Sequence, residues 1–320
     1  MTEKKVFITR FMDGEAIEFL KKHFQVEVFD RDSQVPREEF LEKISSAEGV
    51  ISINTDRIDQ EAMDAGKHVK IFANCAVGYD NIDVEEAYRR GVVVTNTPGV
   101  LSDTTAELAF VLMMGCARRI ADADRYTRNG GFKEWSSIKF LGTDVTGKTV
   151  GIIGAGRIGR AFAKKCKGFD MKLLYHNRKR DIGFEEDFNA RYVSLEELLK
   201  ECDFVSLHVP LTNETFRLIG EKEFSMMKHS AILINTARGA VIDEKALVDA
   251  LRHKKISGAG LDVYEKEPNF EQELKEFENV ILLPHIGSGT RETRHKMAML
   301  AAENIYEVLN GRKPVTPILK

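Results

Sequence analysis

Nothing in this chain of 320 residues stays apolar long enough to cross a bilayer. The longest such run, residues 106–117, carries Glu107 and falls well short of the roughly 20 residues a spanning helix needs. It predicts a buried helix. Charge of one sign is also missing. With 47 Lys and Arg against 50 Asp and Glu, the net charge of −3 gives no electrostatic reason to expect nucleic acid or an anionic membrane as partner. Cysteine is scarce: Cys75, Cys116, Cys166 and Cys202 lie in apolar contexts, without CxxC or metal-ligand spacing. That pattern predicts reduced thiols in a cytoplasmic protein and no metal site. The polar start, Met1 to Lys5, has no apolar signal core and points the same way. Repeats and low-complexity stretches are absent, and the seven prolines fall mostly at turns. What remains is an ordinary globular composition, 43% hydrophobic and 30% charged, with length for about two domains.

The chain reads as alternating strands and helices, which argues for parallel sheets covered on both faces. Strands are expected at Val6–Thr9, Val26–Phe29, Val50–Ile53, Ile71–Asn74 and Val92–Thr95, with helices such as Gly14–His23, Arg37–Ser45 and Val84–Arg90 between them. Asp83 with Glu86, and Ser194 with Glu197, have capping-box spacing. Thr97-Pro98-Gly99 breaks the pattern, and one long helix from Ser102 to Asn129 is expected next. A second series of six strands follows, near 149–153, 171–175, 203–207, 231–234, 257–262 and 279–282, then a last helix, Thr290 to Asn310, able to return to the first domain.

The first strand of that second series runs directly into Gly154-Ala155-Gly156-Arg157-Ile158-Gly159. A lone GxGxxG is weak evidence, but here the strand before and the helix after are both in place. Gly154 makes the turn, Gly156 lets a pyrophosphate approach the backbone, and Gly159 lets helix and strand pack closely. The anion is expected on the free N–H groups of the helix N-terminus. In open α/β sheets ligands lie beyond the carboxyl ends of the strands. Four such ends in the second series carry polar groups: His208-Val209-Pro210, Asn235-Thr236-Ala237-Arg238-Gly239, Asp262 with Glu267-Pro268 beyond it, and Pro284-His285. An arginine fork for a carboxylate, a proton donor and a carboxylate to tune that donor make a complete set for reducing a 2-oxo acid. Each has a bland competitor: a surface arginine, a hydrogen-bonded buried histidine, and a solvated acidic stretch with Glu265 and Glu271.

Together with Val77-Gly78-Tyr79-Asp80-Asn81-Ile82-Asp83, Thr104-Thr105-Ala106-Glu107, Gly260 to Pro268 and Pro284 to Ser288, these motifs resemble the D-isomer-specific 2-hydroxyacid dehydrogenases over essentially the whole chain. Leu101 to Ala109 and Phe140 to Asp144 are similar to the glyoxylate/hydroxypyruvate reductase branch. The resemblance implies two doubly wound parallel-sheet domains, a Rossmann cofactor domain (99–287) inserted in a flavodoxin-like substrate domain (1–98 and 288–320). It implies hydride transfer from nicotinamide C4 to C2 of the keto acid. Arg238 would bind the substrate carboxylate and carbonyl, His285 would protonate the new hydroxyl, and Glu267 would hold His285 charged. The N–H groups of Val77 and Gly78 would receive the carboxylate. Val209 and Pro210 would lie against the cofactor, Thr236, Ala237, Asp262 and Gly287 would frame the nicotinamide, and Trp135 would reach the active site of a neighbouring subunit in a homodimer formed through residues 102–144.

The family pattern is broken at the cofactor ribose. An NAD site usually ends its second strand in Asp or Glu. Here the strand is followed by His176-Asn177-Arg178-Lys179-Arg180, with Asn177 where the acid is expected. Asn keeps a hydrogen bond to the ribose without repelling a phosphate, and Arg178, aided by Lys179 or Arg180, suits a 2′-phosphate. NADP is therefore expected over NAD. The leading substrates are glyoxylate and hydroxypyruvate. Phosphoglycerate or 2-ketogluconate chemistry stays open, as does a corepressor-like NAD(H)-sensing interaction protein. The phosphoglycerate enzymes commonly carry an added regulatory domain and the corepressors long tails, and neither is expected here.

Overall fold

The computed structural model describes residues 4–31 and 33–319; Met1 to Glu3 of the polar start, Asp32 and Lys320 lie outside the described residues. The chain divides into two compact units, one formed by Met1–Leu101 with Ser288–Lys320, the other by Ser102–Gly287. The first division falls three residues later than the expected 98/99, at the start of the helix Ser102–Ala117.

In the first unit five parallel strands, β1 (Lys5–Ile8), β2 (Gln25–Val28), β3 (Gly49–Ser52), β4 (Ile71–Asn74) and β5 (Val93–Thr95), stand in the order β2-β1-β3-β4-β5. Alternation along each strand decides what covers each face. Phe7, Val50, Phe72 and Val94 point to the helices Arg37–Ile44, Gln60–Ala65 and Val84–Arg89. Val6, Ile8, Ile51, Ile71 and Ala73 point to the helices Gly14–Lys21 and Arg291–Leu309. The last helix thus packs on the first sheet through Ala298, Ala301, Ala302 and Ile305.

The second unit holds seven parallel strands, β6 (Thr149–Ile153), β7 (Lys172–His176), β8 (Arg191–Tyr192), β9 (Phe204–Leu207), β10 (Ile232–Asn235), β11 (Gly258–Leu261) and β12 (Val280–Leu282), in the order β12-β11-β10-β9-β6-β7-β8. The order reverses between β6 and β9, the place where a doubly wound sheet opens a crevice for a ligand.

Three local expectations need correction. The sheet has a seventh strand, β8, whose two residues are too short to show as a periodic run. The helix expected over Ser102–Asn129 is two helices, Ser102–Ala117 and Ile120–Arg128, because Arg119 adopts a left-handed φ of 53°. That conformation is unfavourable for a non-glycine residue, but it brings the guanidinium to buried Asp122 and over the Phe140 ring at 5.3 Å. Asp83 does cap its helix by accepting from Glu86 N at 2.9 Å, yet Glu86 turns to Arg90 at 2.6 Å, so no reciprocal box forms there. Ser194 and Glu197 do form one, with Ser194 Oγ accepting from Glu197 N at 3.2 Å and Glu197 Oε2 accepting from Ser194 N at 2.9 Å. Among the described residues no helix is long and apolar enough to cross a membrane, and no group of three His, Cys, Asp or Glu is arranged to hold a metal ion.

Candidate active site

The glycine loop joins β6 to the helix Arg157–Lys167. Gly154 has a φ of 99°, and a Cβ there would meet the His208 carbonyl oxygen at 2.7 Å. Both facts demand glycine. A Cβ on Gly159 would strike the Gly154 carbonyl oxygen at 2.2 Å, so the helix sits directly on the turn. At Gly156 the reverse holds, for a Cβ would meet nothing within 4 Å. Gly156 is the N-cap, and among the described residues no side chain caps the helix. Ala155 is buried, Arg157 is exposed and Ile158 lies between.

The basic turn after β7 separates into parts. Asn177 Oδ1 accepts from Ala155 N at 2.8 Å, tying the second strand end to the glycine loop. Arg178 and Lys179 are exposed. Arg180 is taken by Glu185 through Nε at 2.7 Å and Nη2 at 2.7 Å. His176 is held too, with Nδ1 3.0 Å from Val193 O and its ring stacked on Tyr192.

Beside the loop, β9 is followed by His208, whose Nε2 meets Ser206 Oγ at 2.9 Å while Nδ1 is buried without a partner among the described residues. Burial holds this imidazole down at about 3. An unfolded histidine has a pKa near 6.5. Below that value the unfolded chain takes up a proton that the folded chain refuses, so stability present above pH 6.5 is lost as pH falls toward 3. The cost is about 1.4 kcal/mol per pH unit. His208→Gln should remove this part of the acid slope, read by urea melts of both proteins between pH 7 and 4; identical slopes would contradict it.

Val209 packs against the core, and Pro210 is exposed. Directly after β10, buried Thr236 Oγ1 likewise has no partner among the described residues. Open space at Gly156 and orphaned polar atoms on two neighbouring strand ends are what a dinucleotide would fill, so these residues fit the cofactor that the motif implies.

The turn after β10 is stapled by Asn235, which donates from Nδ2 to Arg238 O at 2.9 Å and accepts at Oδ1 from Ala237 N at 3.0 Å. Half-buried Arg238 donates from Nη1 to Ala237 O at 2.9 Å. At Gly239 a Cβ would lie 1.8 Å from the Tyr264 carbonyl carbon, so the two backbones pass in direct contact. On the loop beyond β11, Glu267 accepts from Tyr264 N at 3.0 Å through Oε1 and meets His285 Nδ1 at 2.7 Å through Oε2. The two side chains keep 25% and 31% exposure, and His285 has a φ of 55°. With Nδ1 committed to the carboxylate, Nε2 is the ring nitrogen left for chemistry.

Two buried acids brace this pair. Asp262 accepts from Ile286 N and Gly287 N, both at 2.7 Å, and so holds the backbone that follows His285. Both its oxygens are engaged in this brace. Burial pushes its carboxyl upward, with the two N–H groups and the His285 side chain opposing. Glu244 braces the Glu267 loop, and sequence reasoning missed it. Burial raises its carboxyl as well, against the N–H groups of Glu265 and Glu271. A signal was present in its place at the first turn of a helix, directly after the N-cap Asp243, but its partners lie far along the chain.

Val77 and Gly78 lie in the first unit after β4. Their carbonyls accept from Asn96 Nδ2 at 2.7 Å and Asn74 Nδ2 at 2.9 Å, while among the described residues their N–H groups donate to nothing. Trp135 lies in a stretch without regular structure and is 80% exposed.

Comparison with known proteins agrees with this geometry. Residues 110–287 match the family model described as the NAD binding domain of D-isomer specific 2-hydroxyacid dehydrogenases. The chain is similar to the glyoxylate reductase of Thermococcus litoralis, 50% identical over 97% of this chain and 95% of that one. Among solved structures it resembles a glyoxylate reductase from Paecilomyes thermophila, with TM-score 0.89, 35% identity and 99% of both chains covered. It also resembles an NADPH-dependent glyoxylate/hydroxypyruvate reductase from Sinorhizobium meliloti in complex with NADP and malonate, with TM-score 0.88, 31% identity and 99% and 97% of the chains covered.

Proposed function

The chain belongs to the D-isomer specific 2-hydroxyacid dehydrogenase family, and we propose that it reduces glyoxylate and hydroxypyruvate to the D-2-hydroxy acids with a preference for NADPH. The observation that carries this reading is the Glu267–His285 pair at 2.7 Å, set with Arg238 on the ends of three adjacent strands, β10, β11 and β12. A nicotinamide dinucleotide held by its pyrophosphate at the glycine loop would supply the hydride. Arg238 holds the substrate carboxylate and polarises its carbonyl, and His285 gives the proton on Nε2 to the forming hydroxyl. Glu267 keeps the ring in the tautomer and orientation that this transfer needs. In the first unit, the N–H groups of Val77 and Gly78 suit a carboxylate.

The residues Gly154 to Gly159 would hold the pyrophosphate, and Val209, Pro210, Thr236, Ala237 and Gly287 would flank the nicotinamide half. Asp262 contributes there as a brace for Gly287. The NADPH preference rests on exposed Arg178 and Lys179 and on an amide, Asn177, where an acid would repel a phosphate. A homodimer belongs to the same proposal. Val111, Ile120, Phe132, Trp135, Ile138 and Leu141 are exposed large apolar residues between 102 and 144 that a second copy would cover, and in that dimer Trp135 would reach the partner's substrate. Cytoplasmic residence fits the four free thiols.

Steady-state reduction of glyoxylate, hydroxypyruvate, pyruvate and 2-ketogluconate with each nucleotide tests the reading. Arg178→Ala should raise KM for NADPH roughly tenfold to a hundredfold, the worth of one charge-assisted phosphate contact. KM for NADH should barely move. Equal losses for both nucleotides, or a wild-type preference for NADH, would remove the phosphate role from Arg178.

A further inference from the structure

Glu244 begins the helix Glu244–Arg252, which is anchored by buried Leu247, Val248, Ala250 and Leu251. The residue is only 6% exposed, and both carboxylate oxygens accept main-chain N–H groups, Oε1 from Glu265 at 2.5 Å and Oε2 from Glu271 at 3.1 Å. A buried carboxylate is costly unless it is hydrogen-bonded. Here the bonds that satisfy it also clamp two points of one loop, and those points bracket Glu267. The Glu265 side chain closes the frame, pairing with Arg217 at 2.8 Å, which reaches the helix cap Asp243 at 3.3 Å. Inside the frame the Glu267 carboxylate meets Tyr264 N and His285 Nδ1, and Asn269 N donates to Lys266 O at 2.8 Å across the tip of the loop.

We propose that Glu244 is a positioning residue for the reaction: it sets the loop 264–271 so that the Glu267 carboxylate meets His285, and it touches neither substrate nor cofactor. This rests on the reading of Glu267 and His285 as the proton-donating pair. The two N–H donors meet separate oxygens, an arrangement that suits a carboxylate. Glutamine offers a single carbonyl oxygen, and its NH2 would face the second N–H donor to donor. One end of the loop must then move. Aspartate keeps the charge but is one methylene too short to reach both donors.

The test is a double-mutant cycle with E244Q, E267Q and the double variant, measuring kcat and KM for glyoxylate, the NADPH Kd by fluorescence titration, and thermal melting. E244Q should lower kcat roughly tenfold to thirtyfold with the NADPH Kd within about twofold of wild type. In the E267Q background the same change should cost less than about threefold, because the carboxylate it positions is already gone. E244D, run through the same cycle, should show a smaller loss with the same coupling, and it carries the test if E244Q does not fold. Losses that multiply undiminished in the E267Q background, or a Kd that collapses with kcat, overturn the proposal. If E267Q alone is fully active in an active enzyme, the pair itself is misread and this proposal falls with it. If E267Q is impaired but independent of Glu244, only the positioning role fails.

Discussion

Lysine in place of Arg238 lowers kcat/KM for glyoxylate by roughly 10²–10³-fold, the usual cost of losing one preorganised donor to a developing oxyanion. Charge is retained in this variant, so the loss reports geometry. A guanidinium is a planar fork that can grip a carboxylate while donating toward the adjacent carbonyl, and an ammonium cannot match that spacing. The protein holds the fork firmly. Asn235 staples the turn on both sides, and Nη1 donates back to Ala237 O at 2.9 Å, which orients one edge of the guanidinium. Lysine has no edge to be oriented. NADPH should bind Arg238→Lys as tightly as wild type, since the glycine loop and Arg178 are untouched. Fluorescence titration beside steady-state kinetics separates the two effects. Cofactor affinity falling in step with activity would make Arg238 a structural residue and end its substrate role.

How much of this site could be read from the sequence depends on how local its causes are. The glycine loop is legible because its demands come from its own neighbours: a positive φ at Gly154 and a 2.2 Å approach at Gly159 leave only glycine. Arg238, Glu267 and His285 are legible because strand ends mark where a ligand can sit, and the family motifs mark the same positions. Glu244 is not, because its partners are Glu265 and Glu271 and nothing in its own segment announces them. The roles of the basic turn are hidden for the same reason. Arg178 and Arg180 look equivalent in sequence, but Glu185 lies on the following helix and takes Arg180. The break at Arg119 has neither Pro nor Gly to signal it and depends on Asp122 and Phe140.

Glutamine at His285 removes the proton donor and lowers kcat for reduction by roughly 10²–10⁴-fold. The direction of the pH dependence makes the assignment testable beyond the size of the loss. Reduction consumes a proton, and in this assignment Nε2 of His285 donates it, so the wild-type reduction rate should fall with rising pH. Oxidation of the D-hydroxy acid starts from the neutral ring, which accepts the hydroxyl proton, so its rate must rise over the same interval. One group read in opposite protonation states gives profiles that mirror each other. Glu267 enters both, because its 2.7 Å contact with Nδ1 keeps Nε2 as the nitrogen that exchanges the proton. His285→Gln preserves a polar side chain but cannot titrate, so its residual rates should lose the mirrored dependence in both directions. NADPH affinity should stay near wild type, as the residues proposed to hold the pyrophosphate and the 2′-phosphate lie at the glycine loop and beyond β7. If His285→Gln keeps a wild-type pH profile in either direction, another group moves the proton, and the acid–base role passes from His285.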